Sequence, residues 1–208
     1  MHSPSSRSLP WRGHALAAAL LASTALSCGP ALADLAVGAP APDFALSDAD
    51  GNPHKLSDLR GKVVVLEWIN PNCPFSRRHA TEKTMITTEG KHPGVVWFGV
   101  DSSSKGSNDY TEPAAYKTYA AGKGIDYAVL LDRTGATGKA YGAKTTPHMF
   151  IIDEQGKLIY NGAIDDDPSG RNAMPKRLNY VDQALAAHAA GKSVDPANTQ
   201  PYGCSVKY

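Results

Sequence analysis

The residues with the clearest capacity for chemistry lie in the run LEWINPNCPFSRRH, from Leu66 to His79. Within it, Cys73 follows an apolar segment and directly precedes Pro74, a residue that suits the first turn of a helix. A cysteine at a helix N-terminus lies beside free N–H groups and a partial positive charge, which both stabilise a thiolate. Arg77 and Arg78, near one turn further on, are expected to add positive charge. The pattern therefore predicts a reactive thiolate that attacks a disulfide or another oxidised sulfur.

A single thiol raises the question of a partner, because Ser76 stands where a second cysteine would complete a CxxC pair. One thiol forms a mixed disulfide but cannot resolve it locally. The C-terminal tail carries Cys204, thirteen residues past Gly191, and a tail of that length can fold back across the site. A redox-active or protective Cys73–Cys204 disulfide is one hypothesis, and an intermolecular bridge or a free tail thiol are the others. For Cys73 itself, the alternative is a cysteine that only fills space in the interior.

Two more residues are candidates for the same site. Glu67 lies in the apolar run 63–69, where burial would raise its pKa and let it exchange a proton with a sulfur through water. A glutamate on the solvated side of the strand is the alternative. The Thr146–Pro147 bond precedes an apolar strand, and a loop there can bring backbone against a bound thiol or disulfide. This bond can be cis, although a simple trans turn is the more frequent form.

Metal binding is the other chemistry that the side chains allow. Cys73, His148 and Met149 together could bind a soft ion such as copper(I), but their spacing matches no strong ligand motif. A hydrogen-bonded loop histidine is the preferred interpretation of His148. The acidic run 165–167 lacks the spaced oxygen ligands of a calcium loop and is interpreted as a solvated turn. We predict no metal and no cofactor.

A strand–helix alternation is expected to position these residues. Continuous apolar segments predict buried strands, and the segment that leads to Cys73 should be the central one. Such an alternation, followed by a hairpin and a closing helix, predicts an α/β fold whose central mixed sheet has helices on both faces. Its parallel strands should be joined by right-handed crossovers. The predicted strands cover 44–47, 63–69, 95–100, 127–131, 148–152 and 158–163, and the predicted helices cover 74–90, 113–123, 134–141 and 174–190.

The composition indicates one globular domain behind a targeting segment. The chain has 208 residues, of which 42% are apolar and 20% are charged, values that suit a protein with a substantial core. Two arginines, an apolar run over 15–26 and the small-residue sequence 31–33 predict a secretory signal peptide over 1–33. A lipoprotein site at Cys28 is a weaker alternative. Cleavage would leave Cys73 and Cys204 in an exported, periplasmic or secreted protein, where disulfides persist.

The remaining chain is predicted to comprise a domain over 34–195 and a tail over 196–208. The apolar run 15–26 is too short to span a bilayer, so no membrane span is predicted. Charge is almost balanced, with a formal net charge of +1 for the whole chain, so we expect no nucleic-acid partner.

Four segments together resemble the AhpC/TSA, or redoxin, branch of the thioredoxin superfamily. They are VGAPAPDF over 37–44, LSDLRGK over 56–62, the strand, turn and helix around Cys73, and TTPHMFIID over 145–153. The resemblance covers roughly 37–190 and extends to the peroxiredoxin-like group of exported thioredoxin-domain proteins, whose chains end similarly to QPYGCSVKY over 200–208.

The resemblance implies a thioredoxin-like fold and a role for each matching residue. Cys73 matches the attacking cysteine, Glu67 the buried acid and Pro147 the cis-proline, while Cys204 is a candidate resolving thiol. Two departures are Ser76 in place of the second cysteine and Asn70 where peroxiredoxins place a threonine.

The function predicted from these residues is thiol–disulfide exchange with a thiol or disulfide substrate, protein or small molecule, and an unknown reductant. One alternative is a thiol peroxidase, in which a Cys73 sulfenic acid condenses with Cys204. Another is a non-catalytic metal-handling or partner-binding module.

Overall fold

The computed structural model describes residues 1–2 and 35–208. The predicted signal peptide, its cleavage site and Cys28 lie outside the described residues, apart from the first two. Within the described part of the chain, no helix is long and apolar enough to cross a bilayer.

A five-stranded mixed sheet forms the centre of the described domain, in the strand order β5-β4-β3-β7-β8. The strand before Cys73, β3, pairs in parallel with β4 and antiparallel with β7, and all five of its residues are buried. The central position predicted for this apolar run is therefore confirmed. The strands are β3 (Val64–Trp68), β4 (Val96–Asp101), β5 (Ala128–Leu131), β7 (His148–Ile152) and β8 (Leu158–Gly162), with a separate hairpin of β1 (Ala45–Ser47) and β2 (Pro53–Lys55).

Helices cover both faces of this sheet, as predicted. Alternation along β3 sends Leu66 and Trp68 to one face, where they pack with Tyr141 of α4, and sends Val65 to the other, where Met85 of α2 and Leu185 of α5 lie. The helices are α1 (Pro74–Thr81), α2 (Thr84–Glu89), α3 (Pro113–Lys123), α4 (Ala136–Tyr141) and α5 (Tyr180–Ala189).

The helix predicted over 74–90 is wrong in one respect, because it is divided into α1 and α2. Lys83 lies between the two with φ 57°, in the left-handed region, and ends the helical hydrogen bonding. Just before the break, Glu82 accepts hydrogen bonds of 2.6 and 3.0 Å from Arg177. This pair joins residues 95 positions apart, so the local sequence pattern could not reveal what holds the break.

The last helix begins later than predicted. A short 3₁₀ turn occupies Met174–Lys176, and α5 begins only at Tyr180. The start is fixed by Asn179, whose side-chain oxygen accepts a hydrogen bond of 3.0 Å from the Asp182 N–H. An asparagine in this capping position satisfies a free N–H of the first turn, and it sets the helix boundary more strongly than the apolar periodicity does.

The C-terminal tail is extended, in agreement with its lack of helical period, and it is part of the fold. Its strand β9 (Cys204–Ser205) pairs antiparallel with β6 (Thr145–Thr146), the short strand directly before Pro147. The tail therefore ends beside the loop that the sequence identified as a candidate wall of the site.

Candidate active site

Cys73 occupies the junction between β3 and α1 and is the N-cap residue of α1. Its sulfur lies 2.9 Å from the carbonyl oxygen of Thr146, which accepts a hydrogen bond from the neutral thiol. Ser76, at the second position of the CxxC-like motif, is buried and accepts a hydrogen bond of 3.4 Å from the Asn70 N–H. The strand–helix placement predicted for Cys73 is thus what the structure shows.

The Cys73 sulfur is nevertheless covered, with only 3% of the residue exposed. The C-terminal tail contributes to this cover, since Cys204 is paired with Thr146 across the β6–β9 ladder and its side chain hydrogen bonds with that of Cys73. Both cysteines are free thiols. The tail is folded back across Cys73 with both thiols free, so the Cys73–Cys204 disulfide stays a prediction.

The pKa values of the two thiols are shifted in opposite directions. Burial opposes ionisation of Cys73, but hydrogen bonds from the side chains of Cys204 and Thr146 and from the Ser76 N–H lower the pKa of Cys73 below its ordinary value. Burial and the adjacent Cys73 raise the pKa of Cys204 to about 12. The arrangement therefore favours ionisation of Cys73 and keeps Cys204 protonated.

The expected contribution of Arg78 has to be corrected. The guanidinium of Arg78 lies with Tyr202 and Asp167, where it donates hydrogen bonds of 3.0 Å to the phenol oxygen and to the main-chain carbonyl oxygen respectively. It therefore serves the tail rather than the sulfur. The direction of the Arg78 side chain depends on partners 89 and 124 positions away in the sequence. The spacing of Arg78 from Cys73 along the helix does not reveal these partners.

The loop at Pro147 lies opposite Cys73. The Thr146–Pro147 peptide bond is cis, the form that the family resemblance implied and that base rates alone do not favour. The Thr146 carbonyl oxygen faces the Cys73 sulfur, and the Thr146 hydroxyl lies 3.5 Å from the Cys204 carbonyl oxygen. Strand β6 and this loop thus hold the tail against Cys73.

Glu67 is buried, which decides between the two interpretations of this residue. It is 6% exposed, and its carboxylate accepts a hydrogen bond of 2.8 Å from the Tyr127 hydroxyl. Burial outweighs this hydrogen bond and raises the pKa of Glu67 to about 7. Glu67 borders a small cavity shared with Tyr119 and His79, and its hydrogen bond goes to Tyr127 rather than to Cys73.

The raised pKa of Glu67 predicts a pH-dependent stability. Between pH 4.5, the ordinary pKa of the group, and pH 7, the folded protein keeps a proton that the unfolded chain has lost, so stability falls as pH rises through this window. At about 1.4 kcal/mol for each pKa unit, the whole shift corresponds to about 3–4 kcal/mol, of which about 2–3 kcal/mol is lost between pH 5 and pH 8. The Glu67→Gln variant should lack this fall when urea unfolding is measured at pH 5 and pH 8. The control is Glu112→Gln, a substitution at an exposed glutamate. Equal pH dependence of stability in the unsubstituted protein and in Glu67→Gln would contradict the assignment.

A buried polar cluster beside the active site was missed by the sequence analysis. Asp165 and Asp167 are each 2% exposed, so the interpretation of this run as a solvated turn is wrong. Asp165 accepts a hydrogen bond from the Tyr202 hydroxyl of the tail, and His79 lies 3.0 Å from the same hydroxyl. The sequence contains the acidic run, the adjacent arginine and histidine, and a tyrosine in the tail. No rule of residue spacing connects these three segments, so the sequence alone could not predict the cluster.

The soft-metal interpretation finds no support at His148. Its Nδ1 accepts a hydrogen bond of 3.1 Å from the Lys144 N–H, and its Nε2 lies 2.7 Å from the Asn161 side-chain oxygen. Both ring nitrogens are thus engaged in protein contacts, which agrees with the hydrogen-bonded loop histidine. Among residues 1–2 and 35–208, no group of three histidine, cysteine or acidic side chains has an arrangement that could hold a metal ion.

The sheet order, the helices on both faces and a cysteine at the strand–helix junction facing a Thr-Pro loop define a thioredoxin-like protein. The family model of the AhpC/TSA family matches residues 37–161, and the chain belongs to this family.

Relatives and solved structures agree with this assignment. The thiol-disulfide oxidoreductase ResA of Geobacillus thermodenitrificans is 31% identical over 124 residues, which are 60% of this chain and 67% of that protein. The crystal structure of an uncharacterized conserved protein from Geobacillus kaustophilus is similar with a TM-score of 0.74 and 28% identity, covering 84% of this chain and 93% of that one. The thioredoxin domain of a thiol-disulfide oxidoreductase from Bacteroides vulgatus, with a TM-score of 0.50 and 22% identity, covers 62% of this chain and 89% of that domain and shares the fold.

Proposed function

We propose that this protein is a thiol–disulfide oxidoreductase in which Cys73 attacks and Cys204 resolves. The observation that carries the proposal is the position of Cys204. The β6–β9 pairing places it against a sulfur of lowered pKa at the N-terminus of α1. The tail thus supplies the second thiol that the CxxS-like motif lacks.

The first half-reaction uses the acidic thiol. The Cys73 thiolate attacks one sulfur of a substrate disulfide, a new S–S bond forms, and the other substrate sulfur leaves as a thiolate that takes up a proton. Cys204 then loses its proton and attacks the Cys73 sulfur of the mixed disulfide. This step releases the second substrate thiolate and leaves a Cys73–Cys204 disulfide, so the substrate gains the two electrons that the cysteine pair loses.

Regeneration needs an external thiol reductant, and the proposed point of its attack is Cys204. The tail cysteine is partly exposed, whereas Cys73 is buried. A reductant thiolate that attacks Cys204 expels the Cys73 thiolate, and a thiol of lower pKa is the better leaving group. A second thiolate of the reductant then frees Cys204 and carries away the disulfide.

Two other residues support the reaction in this proposal. Glu67, whose pKa of about 7 allows it to give and take protons near neutrality, would exchange protons with the sulfur site through water. Pro147 and Thr146 form the wall against which an extended segment lies, as the tail does in the structure. The ResA relative is a thiol-disulfide oxidoreductase, which supports the same chemistry.

Export is part of the proposal. The charged, apolar and small-residue pattern over 1–33 is that of a secretory signal peptide. An oxidising compartment outside the cytoplasm would supply disulfides as substrates.

The test compares two substrates with the same protein. We expect the full chain to accelerate the reduction of insulin disulfides by dithiothreitol, and peptide mapping after mild oxidation to find Cys73 joined to Cys204. Consumption of hydrogen peroxide with the same thiol, without insulin reduction, would instead indicate the peroxidase. The absence of both activities would overturn the proposal.

A further inference from the structure

Tyr202 lies at the centre of the contacts that hold the tail to the domain. Its hydroxyl donates a hydrogen bond to a carboxylate oxygen of Asp165 and accepts one of 3.0 Å from Arg78, and it lies 3.0 Å from the His79 imidazole. Its ring packs edge-on against Phe75, with the ring centres 6.1 Å apart. One tail side chain therefore closes a buried cluster of charged and polar groups.

The cluster and the reactive sulfur belong to the same helix. Arg78 and His79 lie in the last turn of α1, and Cys73 caps its first turn. On the tail, Tyr202 precedes Cys204 by two residues. Anchoring of the tyrosine at one end of α1 thus directs the tail cysteine toward the other end, where the thiol of Cys73 lies.

The cost of releasing Tyr202 is high because the groups left behind are buried. Asp165 is 2% exposed. One of its carboxylate oxygens has no hydrogen bond among the described residues and lies 3.6 Å from the Arg177 guanidinium, while the other accepts from the Tyr202 hydroxyl and, at 3.1 Å, from the Asp167 N–H. When the tyrosine leaves, the other oxygen loses its phenol donor. A hydrogen bond to a charged group is stronger than one between neutral groups, so this contact can control how often the tail opens.

We propose that Tyr202 is a positioning residue that seats Cys204 on Cys73 and, by the same contact, excludes bulky substrates from Cys73 until the tail is released. The tail pairs with β6, the strand beside the sulfur, so a segment of a protein substrate has to take the place of β9. Small disulfides need a smaller opening. This inference rests on the proposed function only for the identity of Cys73 as the reacting sulfur.

The experiment measures access to Cys73 directly. In the Cys204→Ser background, the full chain is treated with a maleimide that carries a polyethylene glycol chain, and modification is quantified on the Cys73 peptide. Adding Tyr202→Phe is expected to raise the modification rate about tenfold or more, because removal of one charged hydrogen bond favours the open tail by that factor. With iodoacetamide, a small reagent, the increase should be smaller.

A control separates release of the tail from general destabilisation. Tyr141→Phe removes a hydrogen bond of 2.8 Å to the Pro42 carbonyl oxygen and should leave the modification rate within twofold. In Tyr202→Phe, hydrogen exchange should accelerate at the Val206 amide, which donates to the Lys144 carbonyl oxygen, and not along β3. An unchanged modification rate, or equal acceleration of exchange in β3, would overturn the inference. A lack of insulin reduction would overturn only the proposed function.

Discussion

The Cys73→Ser variant is expected to lose all disulfide-exchange activity, and the Cys204→Ser variant to be strongly slowed after the first half-reaction. In Cys204→Ser the acidic thiol still attacks, but no second thiol is held beside it to break the mixed disulfide. An intramolecular thiol acts at a high effective concentration, so its loss should slow turnover on insulin about 100-fold. The covalent adduct should accumulate on Cys73 and be visible by mass spectrometry without reductant.

The matched control for this pair is Ser205→Ala. The residue is the neighbour of Cys204 in β9 and is exposed, so its substitution tests the tail without removing a thiol. It should keep turnover within about twofold, as surface substitutions usually do. Full turnover by Cys204→Ser would show that resolution comes from elsewhere, such as the external reductant.

The Gly203→Ala variant is expected to detach Cys204 from the site. Gly203 has φ 141°, and a Cβ at this position would overlap the Thr146 carbonyl oxygen and lie 3.2 Å from the Pro147 nitrogen. Backbone oxygen cannot move aside as a flexible side chain can, and the positive φ adds strain for any residue with a Cβ. Strain and overlap together should slow formation of the Cys73–Cys204 disulfide about tenfold or more. This rate is measured by mild oxidation, quenching of samples with acid at successive times, and peptide mapping of the quenched samples.

Gly191→Ala provides the control for the backbone strain alone. Gly191 has φ 67°, and a Cβ there would meet no atom within 4 Å. It should lower stability slightly and leave the rate of disulfide formation unchanged. If Gly203→Ala forms the disulfide as fast as this control, the close approach of the tail to Thr146 does not position Cys204.

These two predictions address one property of the site, the delivery of the second thiol by the C-terminal tail. In a CxxC motif the resolving thiol is three residues away on the same helix, and Ser76 shows that this route is closed here. In the proposed reaction the tail replaces it with a thiol 131 residues further along the chain, held by the β6–β9 pairing and by Tyr202. The reactive sulfur is consequently covered whenever its partner is in place.

The sequence by itself determined the scaffold and the position of Cys73 within it. Continuous apolar runs predicted the central strand, Pro74 marked the start of α1, and the two together placed Cys73 at the junction. These features depend on local propensity and on burial of neighbouring residues, which a single stretch of sequence reports. The position of Glu67 within an apolar strand likewise indicated a buried carboxyl group, with a glutamate on the solvated side of the strand as the alternative.

Only the tertiary structure decided which groups surround that sulfur. The sequence left the partner of Cys73 open among several arrangements, assigned Arg78 to the thiol, and interpreted Asp165 as solvated. The structure turns Arg78 and Asp165 toward Tyr202 and places Cys204 against Cys73. These contacts join residues 37 to 131 positions apart in the sequence. Many such pairs are conceivable, and the packing of the whole chain decides which of them forms. No local sequence pattern encodes the direction of a long side chain or the path of a tail.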